Sequence, residues 1–138
     1  DSLGATLMLL EEVNHENLLI NFDVLHLWEA GTEPLEAWSR LESWVGHLHL
    51  KNISSPAHLN VFEPSNIYAA GGSRTGIVGI GEGMIDYRPL LERISGLDCF
   101  ASLEWFGAQP YAALAKDIEW LRRHTPSRVP ASSTHIRR

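Results

Sequence analysis

The sequence predicts an α/β fold built on parallel strands. Three observations carry that expectation. Short apolar runs of strand length alternate with longer segments of helical period, giving the order α-β-α-β-loop-α-β-α. Each predicted strand carries polar residues at one parity only. Each also has an ionisable side chain at or near its C-terminal end. Strands that alternate with helices pair in parallel through right-handed crossovers. Three strands cannot close a barrel, so the sheet is either small and open or part of something larger.

From Ser2 to Val13, Leu3, Leu7, Leu10 and Val13 recur at helical spacing. Residues 17–22 form a short apolar run, read as the first strand. Gly31 punctuates the next loop, and Pro34 suits the first turn of a helix, where a missing N–H is harmless. Leu35, Trp38, Leu41 and Val45 give that helix an apolar stripe, and residues 46–50 are the second strand. Residues 53–84 show no sustained period, and loops this long are usually functional. Tyr87, Leu90, Leu91 and Ile94 mark a helix, and 99–104 the third strand. Tyr111, Leu114, Ala115, Ile118 and Leu121 mark the last helix, ahead of a tail rich in Pro, Ser and Arg that is expected to be disordered.

A chain of 138 residues is enough for one domain, and 44% apolar with 20% charged residues is a globular composition. No apolar run approaches the ~18 residues of a membrane span. The sequence opens on Asp1 without a basic stretch, so no signal peptide is expected; lacking an initiator Met, the chain is expected to be a piece of a longer one. A single cysteine, Cys99, cannot form an internal disulfide and fits a reducing, cytoplasmic compartment. The net charge of −6 argues against nucleic-acid binding, which needs a basic face.

The chemistry lies in the strand parities. Leu18, Ile20 and Phe22 share one face and Leu19, Asn21 and Asp23 the other; Leu48 and Leu50 oppose His47, His49 and Lys51; Ala101 and Leu103 oppose Ser102 and Glu104. Parallel strands covered on both faces should read as continuous apolar runs. Reactive sites in such folds lie at the C-terminal ends of the strands. Asp23, His49 and Glu104 therefore converge as two carboxylates and an imidazole, a set that suits Mn2+, Mg2+, Zn2+ or Fe2+ and lacks the thiolates of a structural zinc site. Taken singly, each has a bland alternative: a helix cap, a core histidine, a solvated glutamate.

The same residues sit in longer strings. Residues 17–31 (NLLINFDVLHLWEAG), 47–52 (HLHLKN), 79–87 (GIGEGMIDY) and 100–107 (FASLEWFG) resemble the sixth strand, the seventh strand, the segment before the seventh helix and the eighth strand of the xylose-isomerase-like barrels. The loop 61–76 (VFEPSNIYAAGGSRTG) is similar to that of the petrobactin-type 3-dehydroshikimate dehydratases. The resemblance runs from residue 1 to about residue 121. It implies the C-terminal half of a (β/α)8 TIM barrel, three parallel strands with flanking helices over residues 1–124, with 125–138 as the tail. It also implies dehydration of 3-dehydroshikimate to 3,4-dihydroxybenzoate in the full-length enzyme, with Mn2+ or Mg2+ held by Glu, Asp, His and Glu from four successive strands. Asp23, His49 and Glu104 match the last three, and the first would precede residue 1. The N-terminal half of the barrel is then needed for activity, and a homo-oligomer is compatible with the fold.

Such a reaction removes a proton beside a carbonyl and expels a hydroxyl, so it needs a base and an acid. Lys51, on the face of His49, and His26, at the loop mouth, are the candidates, and the residues do not decide which takes the proton. Arg74, in the glycine-rich loop, could clamp a carboxylate; Tyr68 and Asn52 are further candidates for substrate binding, with Glu63 behind them. His47 is expected beside the ligands rather than among them, and Trp28, Trp105 and Phe106 as pocket walls. A sugar isomerase or epimerase on the same barrel is the nearest rival. A non-catalytic half-barrel is the rival from another class.

Overall fold

The computed structural model describes residues 2–98 and 100–126. Cys99 and residues 127–138, most of the expected tail, lie outside the described residues.

Helix α1 (Leu3–Val13) starts where Ser2 accepts a hydrogen bond from the Ala5 N–H, buries Leu3, Leu7 and Leu10, and stops at Asn14 in the left-handed region. Strand β1 (Ile20–Asp23) begins later than expected and runs through the aspartate. The chain at 15–18 is instead a turn, with Leu18 N–H donating to His15 O. Helix α2 (Val24–Glu29) follows at once and was not expected; six residues are too few to display a stripe. Helix α3 (Pro34–Leu41) carries Pro34 in its first turn and buries Ala37, Trp38 and Leu41. Leu35, placed on that stripe from sequence, is 44% exposed, and Val45 belongs to strand β2 (Val45–Leu50).

The long loop is more ordered than its composition suggests. Strand β3 (Asn52–Ile53) leads into a 3-10 helix at Pro56–Phe62 and helix α4 (Pro64–Ile67). Strand β4 (Ile77–Val78) then returns antiparallel on β3, pairing Asn52 with Val78 and Ile53 with Ile77. The return needs Gly76, whose φ of +94 places it where side chains are strained and whose missing Cβ makes room for His58. Helix α5 (Arg88–Ile94), strand β5 (Phe100–Leu103) and helix α6 (Pro110–His124) complete the described chain.

Strands β1, β2 and β5 form one sheet in the order β1-β2-β5, with both pairs parallel. Phe22, Leu48 and Leu50 turn to the helices and are buried; Phe22 meets Trp38 edge-on at 5.3 Å between ring centroids. The register sets Asp23 beside His49 and His49 beside Ser102, so the polar parities line up across the sheet. The outer strands leave large apolar side chains exposed: Leu19, just before β1, is 56% and Phe100 of β5 is 80% exposed. Beyond the β5 edge the expected stripe of α6 is exposed at Tyr111 and Ile118 but packs at Leu121, joined there by Asp117 and Trp120.

Candidate metal centre

Asp23 closes β1, His49 lies one step from the end of β2, and Glu104 follows β5, where its N–H donates to Leu50 O and holds it level with the strand ends. Each of the three offers a ligand atom, and these atoms lie within 4.8 Å of one another. His49 Nδ1 stands 3.1 Å from Glu104 Oε1 and 3.7 Å from Asp23 Oδ2. Asp23 works twice: Oδ1 accepts from the His26 N–H and starts α2, while Oδ2 faces the site. The aspartate therefore caps a helix and also faces the candidate site.

Between the two carboxylates lies the ammonium of Lys51, with Nζ 2.6 Å from Asp23 Oδ2 and 2.6 Å from Glu104 Oε2. Its side chain is only 5% exposed, and Phe62 lies beneath the charge at 5.6 Å. Asp23, Lys51 and Glu104 face a cleft of about 920 Å3 that His26, Tyr68 and Phe106 also line. Phe62 and Phe106 meet edge-on across it at 6.3 Å. His26, at the mouth, has Nδ1 3.0 Å from Glu29 Oε2 and Nε2 3.8 Å from Asp23 Oδ2. His47 is hydrogen-bonded to Ser102 Oγ at 2.8 Å and packs edge-on against the His49 ring, beside the cluster as its parity required.

Two residues expected at the substrate are spent elsewhere. The Asn52 amide is buried; it donates to Ile80 O and Ile85 O and accepts from the Ile85 and Ile53 N–H groups, so nothing is left for a ligand. Gly83 passes so close over this amide that a Cβ would collide with it. Arg74 donates to Asn66 O, Ser73 O and Ile67 O and braces its own loop. Glu63 sits at the N-cap position of α4, where its backbone carbonyl accepts from Asn66 and Ile67 N–H, and does not line this cleft, and Trp105 Nε1 donates to Ala108 O.

One residue read only as marking a helix stands directly behind the site. Tyr87, 1% exposed, donates its hydroxyl to Lys51 O at 2.7 Å and receives the Lys51 N–H at 3.4 Å. Burial pushes the phenol far up, so it stays protonated and can donate.

A family model described as the xylose isomerase-like TIM barrel matches residues 2–124. The chain belongs to the xylose isomerase-like TIM barrel family. Within it, the chain is 50% identical over 118 residues to a curated 3-dehydroshikimate dehydratase of Bacillus anthracis, covering 86% of this chain and 40% of that protein. The crystal structure of the probable 3-DHS dehydratase AsbF, involved in petrobactin synthesis in the same organism, superposes with a TM-score of 0.86 at 47% identity, over 88% of this chain and 44% of AsbF. The chain thus spans about two fifths of the length of the curated relative it matches. In a TIM barrel, the three parallel strands are a segment of wall whose open edges continue into further strands.

Two hard carboxylates and an imidazole within reach of one point fit a divalent cation. Lys51 engages one oxygen of each carboxylate, Asp23 Oδ2 and Glu104 Oε2. Glu104 Oε1 stays directed at His49, so the carboxylates have donors besides those the lysine engages.

Proposed function

We propose that the whole protein of which this chain is part is a metal-dependent 3-dehydroshikimate dehydratase that forms 3,4-dihydroxybenzoate. The observation that carries this reading is the convergence of Asp23, His49 and Glu104 on one point, with Lys51 between the two carboxylates, in a chain 50% identical over 118 residues to a curated enzyme of that activity. In this reading Asp23, His49 and Glu104 hold Mn2+ or Mg2+, with further ligands and substrate contacts from the rest of the barrel. The bound cation supplies electrostatic stabilisation for negative charge developing on the substrate's carbonyl oxygen.

The chain's own residues divide the proton work. His26 is paired with Glu29 through Nδ1, which leaves Nε2 to take the proton from the carbon beside the carbonyl. Lys51 is a hydrogen-bond donor as it stands, and its ammonium gives a proton to the hydroxyl that leaves as water. Transfer of a further ring proton to the carbonyl oxygen then gives the aromatic product. Tyr68, exposed at the mouth, and the Phe62–Phe106 pair bound the space a flat ring would fill. The solvent-poor floor around Lys51 strengthens these charge interactions. A cytoplasmic location suits such a biosynthetic enzyme.

The test is to incubate the full-length protein, loaded with Mn2+ or Mg2+, with 3-dehydroshikimate and to follow catechol absorbance. Metal-dependent catechol formation is expected. Isomerisation of a sugar without catechol formation would favour the isomerase reading instead.

A further inference from the structure

Lys51 occupies an unusual place in the backbone. It follows β2 and precedes β3, so the chain changes there from a parallel to an antiparallel partner. At that junction one buried phenol oxygen serves both backbone groups of Lys51, accepting from its N–H and donating to its C=O. Holding both groups fixes the direction in which the Cα–Cβ bond leaves the strand end. The side chain then reaches Asp23 and Glu104 at equal distances of 2.6 Å. The Tyr87 ring reaches this point from just before α5, which the sheet and the 79–86 segment hold in place: Asn52 grips that segment from inside, and Asp117 accepts from Ile80 N–H on the other side. We propose that Tyr87 is a positioning residue for the reaction: its hydroxyl aims the Lys51 ammonium at the reacting centre by fixing the strand-exit peptide.

The proposal rests on the reading of Lys51 as the proton donor, and the experiment separates the two. In the full-length, metal-loaded enzyme, Tyr87→Phe keeps the ring and removes only the hydroxyl. The expected result is a fall in kcat of about tenfold, as for an interaction that acts in the transition state, with KM for 3-dehydroshikimate within about twofold of wild type. Asp117→Ala is the control, because it removes the acceptor of the Ile80 N–H and loosens the same segment without touching Lys51; its kcat should stay at the wild-type value. Equal losses of kcat in the two variants would reduce Tyr87 to general support of the loop, and full kcat in Tyr87→Phe would also overturn the proposal. Lys51→Met at near-normal rates would sink the reading of Lys51 itself, whatever Tyr87→Phe does. Should Tyr87→Phe fail to fold, amide hydrogen exchange in the wild type decides: the Lys51 N–H should be as protected as those of β2, and exchange at loop rates would overturn the proposal.

Discussion

Replacing Lys51 with Met should uncouple stability from chemistry. The substitution keeps the length and apolar stem and deletes the charge. The ammonium makes two charge-assisted hydrogen bonds of 2.6 Å, and each such bond is worth about 1.5–3 kcal/mol, so about 3–6 kcal/mol is at stake. The partner carboxylates retain 16% and 22% side-chain exposure, so water recovers part of their solvation and the lower end, about 3 kcal/mol, is expected. That agrees with the ~3–5 kcal/mol lost when one member of a buried ion pair is removed. The assay is urea unfolding of the full-length protein in chelator and again in Mn2+. In chelator the variant should lose about 3 kcal/mol; in Mn2+ it should regain more than the wild type does, because the cation then neutralises two carboxylates that lack their lysine. Turnover should fall by about 10²–10⁴-fold while Mn2+ still binds. Unchanged stability in chelator would refute the charge argument, and near-normal dehydration would refute the catalytic one.

Three other perturbations follow from the same geometry. On the proposed reading His49→Ala removes a ligand rather than a neighbour, so Mn2+ affinity measured by calorimetry should drop by more than the about 10–100-fold typical of losing an outer-shell partner, and turnover should go with it. Asn52→Ala strands two backbone carbonyls and two N–H groups; denaturant unfolding should show a loss of at least about 3 kcal/mol, with little change in KM if the enzyme is assayed below its melting temperature. Burial raises the carboxyl of Asp117 above its usual range, so this group favours folding below the ordinary carboxylate value and that advantage is lost as pH rises through the raised value. Asp117→Asn keeps an acceptor for the Ile80 N–H, so its urea midpoint should exceed that of wild type at pH 7, with the gap closing as pH falls toward about 4.

Much of the site was legible because strand parity is a strict rule. Once residues 46–50 read as a strand, His47, His49 and Lys51 had to share a face, and the register places that face against Asp23 and Ser102. The same rule already held the correction for Asn52. One residue beyond Lys51, it shares the parity of Leu48 and Leu50 and must face away from the site, as it does. Arg74 carried no such signal, because side-chain direction in an irregular loop has no period. Helix α2 was too short to show one, although Asp23 three residues before His26 is the spacing of an N-cap. Tyr87 was read as marking a helix, and it stands at the N-cap position of α5, but spacing says nothing of where a hydroxyl points. The stripe of α6 is only partly buried, at Leu114 and Leu121, for another reason: amphipathic pattern reports what a helix is built to cover, and beyond β5 the described chain offers it no sheet to cover.

The charges around the cleft order the events of the proposed reaction. Asp23 and Glu104 bring two negative charges and Lys51 returns one; Glu29, which also lines the cleft, adds another beside His26. A substrate bearing a carboxylate therefore meets a floor of its own sign until a divalent cation is seated. With the cation in place the balance at Asp23, Glu104 and Lys51 changes from −1 to +1, and in a part-buried site that reversal decides whether an anion is repelled or drawn in. Cation before substrate is the order this arrangement favours. Lys51 then has a role at both stages. Before the cation binds, it keeps two carboxylates from repelling each other apart. With a cation held by Asp23 and Glu104, the Lys51 ammonium would be free to donate toward the substrate. The calorimetry on His49→Ala reads this directly, for a variant that cannot hold the cation should lose 3-dehydroshikimate binding far beyond the contribution of one imidazole.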